Sequence, residues 1–164
     1  MKYLSLLFLF GLLTILGCSG TSSASREASD TYSENIGTAT ALDIKEKTRK
    51  FFTKFNFEIL RYTEDSDMIS FESSWKLRSA MNDEVEKGFE EGRIRLFIQA
   101  SPRRVRQTDA FSDLHVVKFT VENQVRYITT QKWVNAPITP MVRAYLKKLS
   151  DELTMEFRTG IRQF

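Results

Sequence analysis

Thiols, imidazoles and prolines are scarce in this chain of 164 residues, which has one cysteine, one histidine and three prolines. One cysteine allows no internal disulfide. A conventional zinc site takes three or four His, Cys or acidic ligands, and one His with one Cys does not supply the usual set. Long apolar runs are missing too. The longest, Tyr3–Leu16, covers about 14 residues, against about 20 for a spanning helix. There is no Gly-rich phosphate loop, no Gly-x-Ser-x-Gly turn and no placeable paired-carboxylate motif.

What is present begins at the N-terminus. Met1-Lys2 precedes the apolar run, and Ser-Gly-Thr-Ser-Ser-Ala-Ser follows it. A short positive region, a short apolar region and a polar stop have the layout of a secretory signal peptide. Ile15-Leu16-Gly17-Cys18 stands at the end of the run. It resembles the bacterial lipoprotein signal, with Ile15 and Leu16 standing where that family usually has Leu and a small residue. The resemblance implies cleavage between Gly17 and Cys18 and a diacylglycerol on the Cys18 thiol. It covers only about the first 20 residues. It also implies an envelope location. Because Ser19 and not Asp follows the cysteine, a Gram-negative host would place the protein on the outer membrane, facing the periplasm. One acyl chain binds a bilayer marginally, whereas two or three anchor it stably. With Cys18 lipidated, no free thiol remains as a nucleophile or metal ligand.

The expected organisation is a signal peptide over 1–17, a lipidated cysteine with a flexible Ser/Thr-rich tether over 18–39, and one domain over 40–164. Charge is unevenly placed along the chain. Residues 18–92 hold ten basic and fifteen acidic residues, and residues 93–164 hold thirteen and six. Such polarity can steer a charged partner, or cancel if the two halves pack together.

Periodicity predicts a helix over Thr40–Phe55, with Leu42, Ile44, Thr48, Phe51, Phe52 and Phe55 on one stripe. Strands are expected at Asn56–Thr63, Met68–Arg78, Arg93–Ala100, Leu114–Glu122 and Val125–Val134. In the second, Ile69, Phe71, Ser73, Trp75 and Leu77 alternate with polar residues, the pattern of a half-buried antiparallel strand. In the third, Ile94, Leu96 and Ile98 are expected inward and Arg93, Arg95, Phe97 and Gln99 outward. Asn123-Gln124 is expected to turn a hairpin. Thr139-Pro140 opens a last helix with Val142, Tyr145, Leu146, Leu149, Leu153 and Phe157 on its stripe. The fold class is therefore α+β: an N-terminal helix, an antiparallel sheet of about five strands, and a C-terminal helix packed on one sheet face. A curved sheet gripping that helix is the preferred variant.

Candidate chemistry is thin. His115 opens a strand beside Asp113, with no serine placed near it, so it reads as an ordinary edge residue. Glu64, Asp65 and Asp67, with Glu72 nearby, lack the glycine and distal acid of a calcium loop and read as a solvated turn. Asp83, Glu84, Glu86, Glu90 and Glu91 read as an exposed turn or short helix. Arg103, Arg104 and Arg106 follow Pro102 and form a possible partner patch. Lipid headgroups, wall carboxylates or an acidic protein suit such a patch better than nucleic acid, which an exported chain of near-neutral charge is not expected to bind. The expectation is a non-catalytic interaction or accessory module held at the membrane by its lipid, contacting other envelope proteins, with no cofactor and no metal. Two alternatives stand beside it: a carrier of a small apolar ligand or lipid between sheet and helix, and an enzyme acting on cell-wall material.

Overall fold

The computed structural model describes residues 29–103 and 113–158. The chain enters as strand β1 (Thr31–Thr40) and passes into helix α1 (Ala41–Lys54). Strands β2 (Ile59–Glu64), β3 (Ile69–Ser73) and β4 (Lys76–Ser79) follow. A single helical turn, α2 (Asn82–Val85), leads into two long strands, β5 (Phe89–Pro102) and β6 (Leu114–Tyr127). A short β7 (Trp133–Asn135) and helix α3 (Pro140–Arg158) complete the fold. The class is α+β, and the sheet has seven strands rather than about five. All pairings are antiparallel. The main order is β1-β6-β5-β3-β2, with β4 also on β5 and β7 also on β6.

Both long helices lie on one sheet face. Ile44, Phe51 and Phe52 of α1 and Val142, Leu146, Leu149, Leu153 and Phe157 of α3 share one core with the sheet. The sheet contributes Ile69, Phe71, Ile94, Leu96, Ile98, Val117, Phe119 and Val121. Period two on the strands and period 3.6 on the helices put these residues on facing surfaces. Each helix is also stopped and started locally. Thr40 Oγ1 accepts Asp43 N–H at 3.2 Å, capping α1. Asn56 takes a left-handed conformation (φ 51) just beyond it, while Phe57 N–H returns to Phe52 O at 2.8 Å. Helix α3 starts on Pro140, which has no N–H to orphan. Asp83 Oδ2, on α2, accepts Met141 N–H at 2.9 Å.

Four sequence expectations are corrected. Residues 31–40, read as tether, form β1. The pattern there is broken by a bulge, because the register with β6 shifts between Asn35 and Gly37 and Gly37 has φ 131. Tyr32, Ile36 and Ala39 are its buried apolar residues, so the spacing changes from four to three across the bulge. The run Met68–Arg78 is two strands, split at Ser74-Trp75. The split reverses the phase: Leu77 is 63% exposed, whereas Ile69, Phe71 and Ser73 are buried. Asn123-Gln124 is no turn but mid-strand in β6, where Asn123 pairs Ile94 and Gln124 pairs Arg93. The hairpin turn lies beyond Tyr127, with Gln131 left-handed at φ 55. Lastly, the short helix of the acidic connection is not wholly exposed, because Glu84 is buried.

Candidate functional site

The sheet face away from the helices is the candidate site. Its centre is Arg93 on β5. The Arg93 guanidinium carbon lies 4.6 Å from the Trp75 ring centre and 4.4 Å from that of Trp133. Trp75 sits at the break between β3 and β4, and Trp133 opens β7 across the sheet. Cation–π attraction of this geometry is worth about 0.5–2 kcal/mol per ring, depending on desolvation. Gln124, directly opposite Arg93 in the register, fixes the group in plane. Its Oε1 accepts Arg93 Nε–H at 2.9 Å and Nη2–H at 2.6 Å. Gln124 is held in turn, donating from Nε2 to Asn135 Oδ1 at 2.9 Å.

Neighbouring arginines are paired differently. Arg95 donates to Glu122 Oε2 from Nη2 at 2.7 Å and to Glu72 Oε1 from Nη1 at 2.9 Å. It also stacks on Trp75 and Phe97, at 4.8 and 5.1 Å. Arg126 pairs with Glu91 at 2.8 Å, beside a shallow hollow of about 530 Å³ lined by Leu77, Arg78, Ser79, Glu90 and Glu91. Arg93 makes no ion pair among the described residues. Burial, and then the charge of Arg95, push its guanidinium below the ordinary arginine value.

Two polar clusters lie on the helix side. In one, Arg78 makes a two-pronged pair with Glu84, both contacts at 2.6 Å, and Arg78 Nη2 donates to Asn123 Oδ1 at 2.7 Å. In the other, Glu34 Oε2 accepts from Ser150 Oγ at 2.5 Å and from the Tyr32 hydroxyl, and Lys147 Nζ lies 3.2 Å from Oε1. These contacts tie β1 to α3. Ser150 is fully buried, which makes this a strap rather than an accessible nucleophile. Burial alone would raise the Glu34 carboxyl. The bonds from Ser150, Tyr32 and Lys147 outweigh it and hold Glu34 below the ordinary carboxylate value. A carboxyl depressed on folding stabilises the fold above its unfolded value and ceases to do so as pH falls through its folded value. The stability lost on Glu34→Gln should therefore be largest near neutral pH and shrink as pH is lowered below the ordinary carboxylate value. Urea titrations of both proteins at stepped pH check this, and a difference that does not change with pH would contradict it.

The residues singled out from the sequence scatter. Cys18 and Gly17 lie outside the described residues, as do Arg104 and Arg106. Arg103 is exposed just beyond β5, where its backbone N–H bonds Leu114 O at 2.8 Å. His115 Nδ1 is 3.1 Å from Asp113 O, in an exposed setting. Asp65 Oδ1 accepts Asp67 and Met68 N–H at 2.9 and 2.8 Å, closing its own turn. Among the described residues no group of three or more His, Cys, Asp or Glu is placed to hold a metal ion. None of their helices is long and apolar enough to cross a membrane.

Sequence reasoning put Arg93 on the outer face but did not bring the tryptophans to it. A usable signal existed: Trp75 stands between Ser74 and Lys76, and Trp133 follows Gln131 and Lys132. No family model and no curated protein matches the chain.

Proposed function

We propose that this protein is a lipid-anchored envelope lipoprotein acting as a non-catalytic interaction module, with the open sheet face as its binding surface. In a Gram-negative host it would sit on the outer membrane and face the periplasm. The observation that carries the binding surface is the Trp75–Arg93–Trp133 stack. A guanidinium packed against two indoles and bonded to Gln124, with Arg95 and Phe97 alongside, has the aromatic and arginine chemistry that concentrates binding energy at protein interfaces. On the other face of the sheet, Phe51, Phe52, Phe71 and Phe119 fill the space beneath the helices, so this reading puts recognition outside the core. The anchor rests on Ile15-Leu16-Gly17-Cys18.

Two experiments address the two halves of this reading. Labelled palmitate should be incorporated into the protein in growing cells, and Cys18→Ser should abolish the label and release the protein from membranes. Persistent label in Cys18→Ser would contradict the anchor. For the surface, a photo-crosslinking residue at Phe97 should join the protein to one recurring envelope partner. The same residue at Met155, 62% exposed on α3, should not. Equal yields from both positions would count against the sheet face.

A further inference from the structure

Arginine offers five N–H donors in a planar fork with two usable edges. In Arg93 the Nε/Nη2 edge is occupied, because both of those groups donate to Gln124 Oε1. Two indoles crowd the group, with the Trp75 and Trp133 ring centres 4.6 and 4.4 Å from the guanidinium carbon. What remains is the terminal edge, Nη1 with the second hydrogen of Nη2. Nη1 makes no hydrogen bond among the described residues, yet it is not one of the buried unpaired polar atoms. It is therefore not fully buried.

The charge around it is selective. Glu72 and Glu122 are engaged by Arg95, and Glu91 by Arg126. Among the described residues, that leaves Arg93 as a half-buried cation of this face without an anion. The Gln124–Asn135 contact fixes its orientation, so an incoming group meets a preorganised donor pair. Two parallel, coplanar N–H groups match a carboxylate in shape and charge. A phosphate dianion would find a single guanidinium edge and would be undersupplied with donors. The two indoles add apolar surface beside the free edge, which suits a side chain on a polypeptide.

We propose that the free edge of Arg93, walled by Trp75 and Trp133, binds a side-chain carboxylate of an acidic protein segment. This rests on the reading of the sheet face as the interaction surface and names the chemistry that surface recognises. Discrimination comes from geometry more than from net charge. A lysine at position 93 keeps the charge and loses the fork.

The chain reports on this site by itself, because its only two tryptophans are the walls. The test uses the mature, lipidated protein in detergent micelles, titrated with an end-blocked oligoglutamate peptide while tryptophan emission is followed. The matching oligoglutamine peptide and inorganic phosphate are run in parallel. Oligoglutamate should change the emission saturably, and the other two should not over the same range. Arg93→Lys should raise the oligoglutamate midpoint about tenfold, which corresponds to about 1.4 kcal/mol. Arg143→Lys, which alters an exposed arginine on helix α3 on the far side of the sheet, should leave the midpoint within about twofold. Far-ultraviolet dichroism and thermal melting confirm that each variant is folded. A midpoint unmoved by Arg93→Lys would overturn the proposal. So would an equal response to oligoglutamine, or phosphate binding as tightly as the peptide. If crosslinking from Phe97 succeeds while oligoglutamate fails, the interaction surface stands and the carboxylate chemistry falls. If both fail, the surface itself has been misassigned.

Discussion

Glu84→Ala should lower the unfolding free energy by about 3–5 kcal/mol, the cost of stranding a buried charge. The Arg78 side chain is only 8% exposed and that of Glu84 only 1%. Glu84 also accepts Met81 N–H at 2.9 Å, so the deletion orphans a backbone donor as well as a guanidinium. Arg78 would keep Asn123 Oδ1 and the Ser79 carbonyl, neither of which carries a full charge. The guanidinium packs directly over Gly92, where an added Cβ would fall within it. Replacing both partners with apolar residues of similar size, as in Arg78→Met with Glu84→Leu, should recover part of the loss, because it removes the stranded guanidinium while Met81 N–H and Asn123 Oδ1 stay unpaired. Urea unfolding of the three proteins decides the matter. A single-mutant loss below about 1 kcal/mol would mean that the pair behaves like a surface ion pair despite its burial.

Phe119→Ala should cost a similar amount, about 3–5 kcal/mol, by a different route. Phe119 is fully buried at the centre of β6. Its ring meets Tyr32 of β1 edge-on at 6.3 Å and Phe51 of α1 at 6.4 Å with an interplanar angle of 87°. One deletion therefore loosens the sheet edge and the helix that crosses behind it. Transfer free energy and an unfilled cavity both contribute. Phe119→Leu should cost markedly less, because most of the volume is kept. Trp75 and Trp133 lie on the opposite face of the sheet, so their emission follows global unfolding without being altered by the substitution directly. Equal losses for the alanine and leucine variants would show that ring contacts, not volume, hold this part of the core.

Much of the architecture was legible because it is written in local periodicity. Ile94, Leu96 and Ile98 alternate with Arg93, Arg95 and Phe97, and the Val142–Phe157 stripe repeats at helical spacing. Both assignments hold in the fold. What was illegible depends on events that periodicity does not record. A bulge at Gly37 shifts the apolar spacing of β1, and the strand is otherwise rich in Ser and Thr, so it resembled a tether. The break at Ser74-Trp75 turns Arg78 toward the core, where a charged residue is tolerated only because Glu84 and Asn123 come to meet it. Asn123 looked like a turn for the same reason: a polar residue in mid-strand signals a turn unless a distant arginine needs it. The candidate site is non-local too. Trp75, Arg93, Gln124 and Trp133 come from four strands or strand breaks, and the pairings of β5 with β4 and β6 and of β6 with β7 assemble them.

The pairing of β1 also sets an order of events. Thr31 finds its partner in Glu122 and Thr40 finds Leu114, so every bond of that strand closes a loop of roughly 75 to 90 residues. The strand made first in this domain must wait for one made near the end. During synthesis β1 spends that interval without its partner, and once β6 has paired with β5 its other margin stays bare, with Val117, Phe119 and Val121 uncovered, until β1 and the helices dock. Unpaired margins of this kind are where chains associate wrongly. Slow, late docking of β1, and not the long β5–β6 hairpin, is the step at which this domain is most exposed to misassembly.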